Sequence, residues 1–248
     1  MRTVVISDLH GCYNEVRAAL QKVQFSQKRD KLIVLGDLMD RGPQSYECFE
    51  FIKGCKETMK DRCIFILGNH EDLAYNAIVE DDMELWRYNG CESTIRSLKL
   101  NKDKDWKEYL INTILKFSVK EGQLYYYDKD LGILFSHAGV IGSDYENAEQ
   151  HELIWNRKVC TGLTNFKGIQ VIGHTPSRYP YYIETHSLFE RESMPLELEI
   201  RKRKKLPESG IFLMDSGCVY GNFLTVMCFY SDRTYKVFKQ ESLQQKSF

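Results

Sequence analysis

The stretch TVVISDLHG, residues 3–11, runs four β-favouring residues straight into Asp8-Leu9-His10-Gly11. The first part reads as a strand bound for a protein core, yet it ends on a carboxylate and an imidazole. In an extended chain, residues i and i+2 share a side. If the extension continues, Asp8 and His10 present an oxygen and a nitrogen toward one point. That is half of a metal site, or it is a polar loop that opens a helix. The rest of the chain has to decide.

The same pattern recurs downstream. A helix is predicted from Tyr13 to Phe25, with Val16, Leu20 and Val23 on one face. KLIVLG (31–36) precedes a second helix in which Cys48, Ile52, Cys55 and Met59 recur at helical spacing. CIFILG (63–68) precedes a mostly helical region, 70–117, with a stripe of Trp106, Leu110, Ile114 and Phe117. Three strand–helix units in a row read as the parallel core of an α/β fold. The second half consists of strands with short connections: QLYYY (123–127), GILFSHAGV (132–140), IQVIG (169–173), GIFLMDSG (210–217), FLTVMCFY (223–230) and TYKVFK (234–239). Mixed or antiparallel pairing is expected there. One domain over 1–248 is expected, with a polar and charged excursion at 184–209 that includes IRKRKK (200–205) and reads as a solvated hairpin or loop.

The totals exclude several classes. The 248 residues carry a formal net charge of −1, so no overall field draws the chain to nucleic acid or to a membrane surface. No apolar run approaches the ~20 residues that span a bilayer. The N-terminus shows no basic segment followed by an apolar stretch and a cleavage site, so a cytoplasmic location is expected. The eight cysteines include no C-x-x-C pair and read as small buried apolar residues in a reducing compartment. Cys12 lies close to the first motif, and nothing in the sequence nearby marks it as a nucleophile.

The residues just after each buried-looking strand are more informative. The strand ends read Asp8-Leu9-His10-Gly11, Gly36-Asp37-Leu38-Met39-Asp40-Arg41-Gly42, Gly68-Asn69-His70-Glu71, Ser136-His137-Ala138-Gly139 and Gly173-His174-Thr175-Pro176. Four of the six histidines sit at these ends, where ligands collect in open α/β sheets. Each piece alone is a plausible turn or helix cap. Five unrelated turns have no shared reason to carry metal-type ligands at strand ends. Imidazole, carboxylate and amide, without thiolate, suit Mn, Fe, Co or catalytic Zn rather than a structural zinc site. Asp8, His10, Asp37, Asn69, His137 and His174 are too many for one ion that must keep open positions. They suit two ions bridged by a carboxylate, with Asp37 the natural bridge, a clamp for in-line displacement at phosphorus.

SDLHG, GDLMDRG, GNHE, SHAG and GHT, in that order, resemble the phosphoprotein phosphatase family of calcineurin-like metallophosphoesterases, in particular its compact bacterial and phage members. LIWNR (153–157) and DSGCVYG (215–221) resemble further family segments, so nearly the whole chain is covered. The resemblance implies two packed mixed β-sheets flanked by helices, a four-layer α/β sandwich with a dinuclear site at the sheet edges. It implies one ion on Asp8, His10 and Asp37, and another on Asp37, Asn69, His137 and His174. Arg41, Arg157 and Asn69 would hold the phosphate, and His70, paired with Asp40, would be the general acid. Two divalent ions are implied, Mn2+ first, with Fe, Zn or Co as alternatives. Ser7 stands where many members have glycine, and SHAGV departs from the form common in eukaryotic members.

The reaction expected first is hydrolysis of phosphoserine and phosphothreonine in proteins, by a metal-bridging hydroxide in line with His70. The main alternative is a symmetrical diadenosine tetraphosphate hydrolase, with a phosphatase of nucleic-acid ends or small metabolites also open. Asp40 and Glu71 favour the first, since the dinucleotide branch usually replaces them. Glu71 is otherwise read as a helix-starting acid suited to the positive dipole end. A binding module that has lost turnover should lack a ligand or the acid, and here every position is retained. His151 and His186 have no motif around them. Tyr125-Tyr126-Tyr127 reads as strand packing. Oligomeric state has no signal in the sequence.

Overall fold

In the computed structural model, which describes residues 1–112, 123–185 and 194–244, the opening stretch forms β1 (Arg2–Ile6). It pairs in parallel with β2 (Asp30–Val34), and β2 in turn pairs in parallel with β3 (Cys63–Phe65). The intervening helices are α1 (Tyr13–Lys22) and α2 (Ser45–Met59). Val16, Leu20, Cys48, Ile52, Cys55 and Met59 are all buried, as their helical spacing predicts. The region read as mostly helical contains α3 (Asn69–Val79), α4 (Glu84–Tyr88), α5 (Cys91–Lys102) and α6 (Trp106–Tyr109). Of the stripe beyond it, Leu110 is buried, while Ile114 and Phe117 lie outside the described residues, as does His186.

The second half supplies β4 (Tyr125–Asp128), β5 (Ile133–Ser136), α7 (Gln150–Trp155), β6 (Ile169–Ile172), β7 (Tyr181–Ile183), β8 (Leu196–Glu197), β9 (Arg203–Lys205), β10 (Gly210–Leu213), β11 (Phe223–Tyr230) and β12 (Thr234–Glu241). Among the described residues two six-stranded sheets result, ordered β3-β2-β1-β11-β12-β9 and β4-β5-β6-β10-β7-β8. Both are mixed: β1 lies parallel to β2 and antiparallel to β11, and β10 lies parallel to β6 and antiparallel to β7.

Alternation along β1 builds two layers at once. Val5 enters the space between the sheets with Ile33, Phe135, Val171, Phe212 and Phe229. Val4 and Ile6 face the helices with Val16, Leu20 and Ile52. The outer face of the second sheet is covered in part by Leu153 and Ile154 of α7. Burial of a Val, Ile or Phe side chain is worth roughly 1.5–3 kcal/mol. β1 is therefore clamped from both sides, and its carboxyl end is a fixed platform.

The excursion at 184–209 is less solvated than its composition suggests. In its described part β8 pairs with β7, β9 pairs with β12, and Leu198 is buried between the sheets. The basic run is an exposed edge strand (Arg203, Lys204, Lys205), where charge discourages further strand pairing. No helix among the described residues is long and apolar enough to cross a membrane.

Candidate functional site

The carboxyl ends of β1, β2, β3, β5 and β6 meet at one place. β1 stops at Ile6, and Asp8 and His10 both adopt left-handed φ, 51° and 40°. The two side chains are therefore not brought together by strand alternation, as the sequence suggests. They are brought together by a turn that zips onto the next motif: the N–H groups of His10 and Gly11 donate to the carbonyls of Asp37 (2.8 Å) and Leu38 (2.9 Å). Asp37, Asp40, Arg41 and His174 are also left-handed, with φ of 55–69°. Non-glycine residues held this way carry a conformational cost that surrounding contacts must offset, a pattern concentrated at functional sites.

Two glycines make the approach possible. A Cβ on Gly173 would collide with Ser7 Oγ and Asp8 Oδ2, and one on Gly68 would collide with Asp37 Oδ1. Ser7, the departure from the family pattern, donates its hydroxyl to Asp8 Oδ2.

Asp37 is the hub. Its Oδ2 lies 3.5 Å from His10 Nε2, 3.5 Å from His137 Nε2 and 4.0 Å from His70 Nε2. Burial would raise its pKa, but the rings of His137, His70 and His10 outweigh that and hold the carboxyl well below its usual range. Two groups of donor atoms, each spanning less than 4.8 Å, share this residue: His10, Asp37 and His70, and Asp37, His137 and His174. Asn69 Oδ1 sits 3.0 Å from His137 Nε2 and 2.9 Å from His174 Nδ1. Asp8 belongs to neither group. Its carboxylate accepts the backbone N–H of His174 at 3.0 Å, and burial followed by the charges of Asp215 and Asp37 pushes its pKa well up.

These donors fit divalent metal. Each of three imidazoles has one ring nitrogen on a backbone carbonyl: His10 Nδ1 on Met39 (2.7 Å), His137 Nδ1 on Leu35 (2.5 Å) and His174 Nε2 on Trp155 (3.2 Å). That fixes the tautomer and aims the other nitrogen at the cluster, the usual support of a ligating histidine. Burial pushes all three pKa values down, that of His174 to about 2, which favours the neutral form of each ring that a metal requires.

His70 is different. Its Nδ1 lies 2.7 Å from Asp40 Oδ2, which also accepts the Trp86 indole N–H at 2.8 Å, and Thr94 donates to Asp40 Oδ1 at 2.7 Å. Burial alone would lower the His70 pKa, but Asp37 and the hydrogen-bonded Asp40 raise it. Arg41 Nη1 reaches His10 Nε2 at 2.5 Å, and its guanidinium lies 5.6 Å from the centre of the Tyr220 ring. Exposed Arg157 donates to Thr175 Oγ1 at 3.2 Å and to the His174 carbonyl at 3.4 Å. The two arginines thus border the donor cluster, one at His10 and one at His174.

Two site residues escaped the sequence reading. Glu71 is more than a helix-starting acid: fully buried, it accepts the N–H groups of Asp37 (3.0 Å), Leu38 (2.8 Å) and Gly68 (3.1 Å). Asp215 is buried beside the cluster, and burial raises its pKa to about 6. The DSG motif marked its place but gave it no role. His151 is exposed and stacks on Trp155, and the tyrosine run packs in β4 as expected.

Known proteins share both the sequence pattern and the fold. A family model described as calcineurin-like phosphoesterase matches residues 1–206. The symmetrical bis(5'-nucleosyl)-tetraphosphatase of Azotobacter vinelandii is 25% identical, over 92% of this chain and 93% of its own. The asymmetrical bis(5'-nucleosyl)-tetraphosphatase of Bacillus subtilis is 26% identical, over 94% of this chain and 93% of its own. A protein serine/threonine phosphatase structure from Saccharomyces cerevisiae superposes with a TM-score of 0.60 at 14% identity, covering 100% of this chain and 82% of that one, a likeness of fold.

Proposed function

We propose a reaction for this chain from one premise: it belongs to the family of calcineurin-like phosphoesterases. It is accordingly a metal-dependent phosphoester hydrolase. The substrate we assign is a dinucleoside tetraphosphate, cleaved by water at one phosphoanhydride bond. The observation that carries this is the pair of tetraphosphatase relatives that align over more than nine tenths of this chain and of themselves.

Phosphoserine and phosphothreonine, expected first from the sequence, become the second reading. Two residues carried that preference. Among the described residues the Glu71 carboxylate bonds only to backbone N–H groups, so its identity says nothing about substrate. Asp40 still favours phosphoproteins, because its bond to His70 suits proton delivery to a poor leaving group.

Asp8, His10, Asp37, Asn69, His137 and His174 are assigned to hold the metal, with Asp37 shared. Their nitrogen and oxygen donors suit Mn2+, and Fe, Zn or Co are compatible. When bound, the ions set positive charge against the phosphate oxygens and acidify the attacking water. Arg41 and Arg157 grip phosphate oxygens with planar, permanently charged forks, and Asn69 offers its amide beside them. His70 holds a proton at Nε2 for the leaving oxygen, oriented by Asp40 at Nδ1.

The test compares kcat/KM on diadenosine tetraphosphate, a phosphoserine peptide and a nucleotide monoester in one Mn2+ buffer. The dinucleotide is expected to lead by at least about 10²-fold, or ~2.7 kcal/mol in transition-state binding. A lead of that size for the peptide reverses the assignment. Products of two ADP, or of ATP and AMP, distinguish symmetrical from asymmetrical cleavage.

A further inference from the structure

We propose that Cys12, Glu15 and Cys218 form a second cation site, separate from the Asp37 cluster, that takes a thiophilic divalent ion such as Zn2+. The three side chains are buried, and their ligand atoms all lie within 4.8 Å of one another. They come from three parts of the fold. Cys12 follows Gly11 in the turn that carries Asp8 and His10, Glu15 lies in the first turn of α1, and Cys218 lies in the turn after Asp215.

Glu15 is the independent observation. It is fully buried, and its Oε1 accepts the Leu243 N–H at 2.9 Å and the Gln244 side-chain amide at 2.8 Å. Its Oε2 has no hydrogen-bond partner among the described residues, and no ion pair there involves it. A buried carboxylate oxygen left unmet is costly, and a cation removes that cost.

The chemistry of the set selects the ion. Two thiolates and a carboxylate favour zinc over manganese, whereas the Asp37 cluster contains no sulfur. Zinc bonds of about 2.3 Å to sulfur and 2.0–2.2 Å to oxygen place tetrahedral ligand atoms roughly 3.5–4 Å apart. That separation falls within the observed span, so side-chain contraction suffices. Binding exchanges two S–H bonds for two metal–sulfur bonds and releases two protons to solvent, with no change of oxidation state. The bound ion would tie together the backbone behind Asp8, His10 and Asp215.

The test is anaerobic Co2+ titration of the full chain, read as sulfur-to-cobalt charge-transfer absorption in the near ultraviolet. The nitrogen and oxygen ligands of the Asp37 cluster cannot produce that band. The band should saturate at the intensity of one thiolate-bound Co2+ per chain, whatever further Co2+ the Asp37 cluster takes, and Zn2+ should abolish it. Cys12→Ser and Cys218→Ser should lose it, while Cys63→Ser, remote in β3, should keep it. Glu15→Gln should weaken Co2+ binding by about tenfold or more, and it decides the matter if the serine variants fail to fold. Absence of the band in the reduced protein overturns the proposal, as does its survival in both serine variants. Unchanged affinity in Glu15→Gln, or a Cys12–Cys218 disulfide in protein purified without reductant, also overturns it.

Discussion

Glu71 Oε2 accepts the backbone N–H of Asp37 at 3.0 Å, joining the start of α3 to the turn after β2. Its other oxygen accepts Leu38 N–H at 2.8 Å, and Oε2 also closes a bond to Gly68 N–H at 3.1 Å. One buried carboxylate thus sets the distance between the Asp37 and Asn69 motifs. Glu71→Ala leaves three buried donors unmet, for a cost of ~3 kcal/mol or more. At roughly 2–4 °C per kcal/mol for a chain of this length, the melting temperature should fall by about 6–12 °C. Divalent-ion affinity should fall with it. A melting curve that superposes on the wild type removes Glu71 from this positioning role.

His70→Asn should keep metal binding but lose about 10²–10⁴ in kcat on alkyl phosphates, and much less on esters with an acidic leaving group. Equal losses on both substrates remove the general-acid role. The pH profile gives a second readout. Burial would lower the His70 pKa, but Asp37 and Asp40 raise it above the unfolded value of about 6.5. The charged form therefore persists above that pH, and both its proton and its contribution to stability are lost as pH rises through the folded pKa. The alkaline limb of kcat should reflect this loss. Asp40→Asn removes a raising charge and should shift that limb to lower pH, whereas an unmoved limb uncouples the pair.

Strand ends were readable because buried apolar runs stop where polar ligands start, and β1, β2, β3, β5 and β6 all obey that rule. The convergence of Asp8, His10, Asp37, Asn69, His137 and His174 followed from it. How they converge did not. The left-handed turn at Asp8 and His10 is held by hydrogen bonds from His10 and Gly11 to the 37–42 turn, a tertiary contact that no local pattern encodes. Glu71 looked like a helix-starting acid because its backbone partners at Asp37 and Leu38 lie 34 and 33 residues away in sequence. β9 hides in IRKRKK because an exposed edge strand needs no apolar alternation.

Gly173 tests how tightly the two sheet ends are pressed together. Any Cβ there meets Ser7 Oγ and Asp8 Oδ2, both in a buried turn with no room to retreat. Gly173→Ala should reduce turnover at least tenfold and stability by about 1–3 kcal/mol, the usual cost of overpacking. Gly54, whose added Cβ has no heavy atom within 4 Å, lies mid-helix in α2 and is the control. Gly54→Ala should be neutral or stabilising by up to ~1 kcal/mol. If the two variants melt and turn over alike, the sheet ends are not closely apposed.

Metal removal bears on the shared carboxylate. Asp8, Asp37 and Asp215 are buried together, and among the described residues none of the three forms an ion pair with lysine or arginine. Ions that bind only the folded chain should therefore stabilise it, by about 2.7 kcal/mol at a hundred times the dissociation constant. Treatment with chelator should abolish turnover, and Mn2+ should restore it and raise the melting temperature in step with its concentration. Thiolates disfavour Mn2+, so a sulfur site contributes little to this response. Asp37→Asn weakens the donor both groups share and should flatten the melting response across the whole titration. His174→Ala touches one group and should leave a partial response. Should Asp37→Asn respond to Mn2+ as the wild type does, the two donor groups do not depend on a common residue.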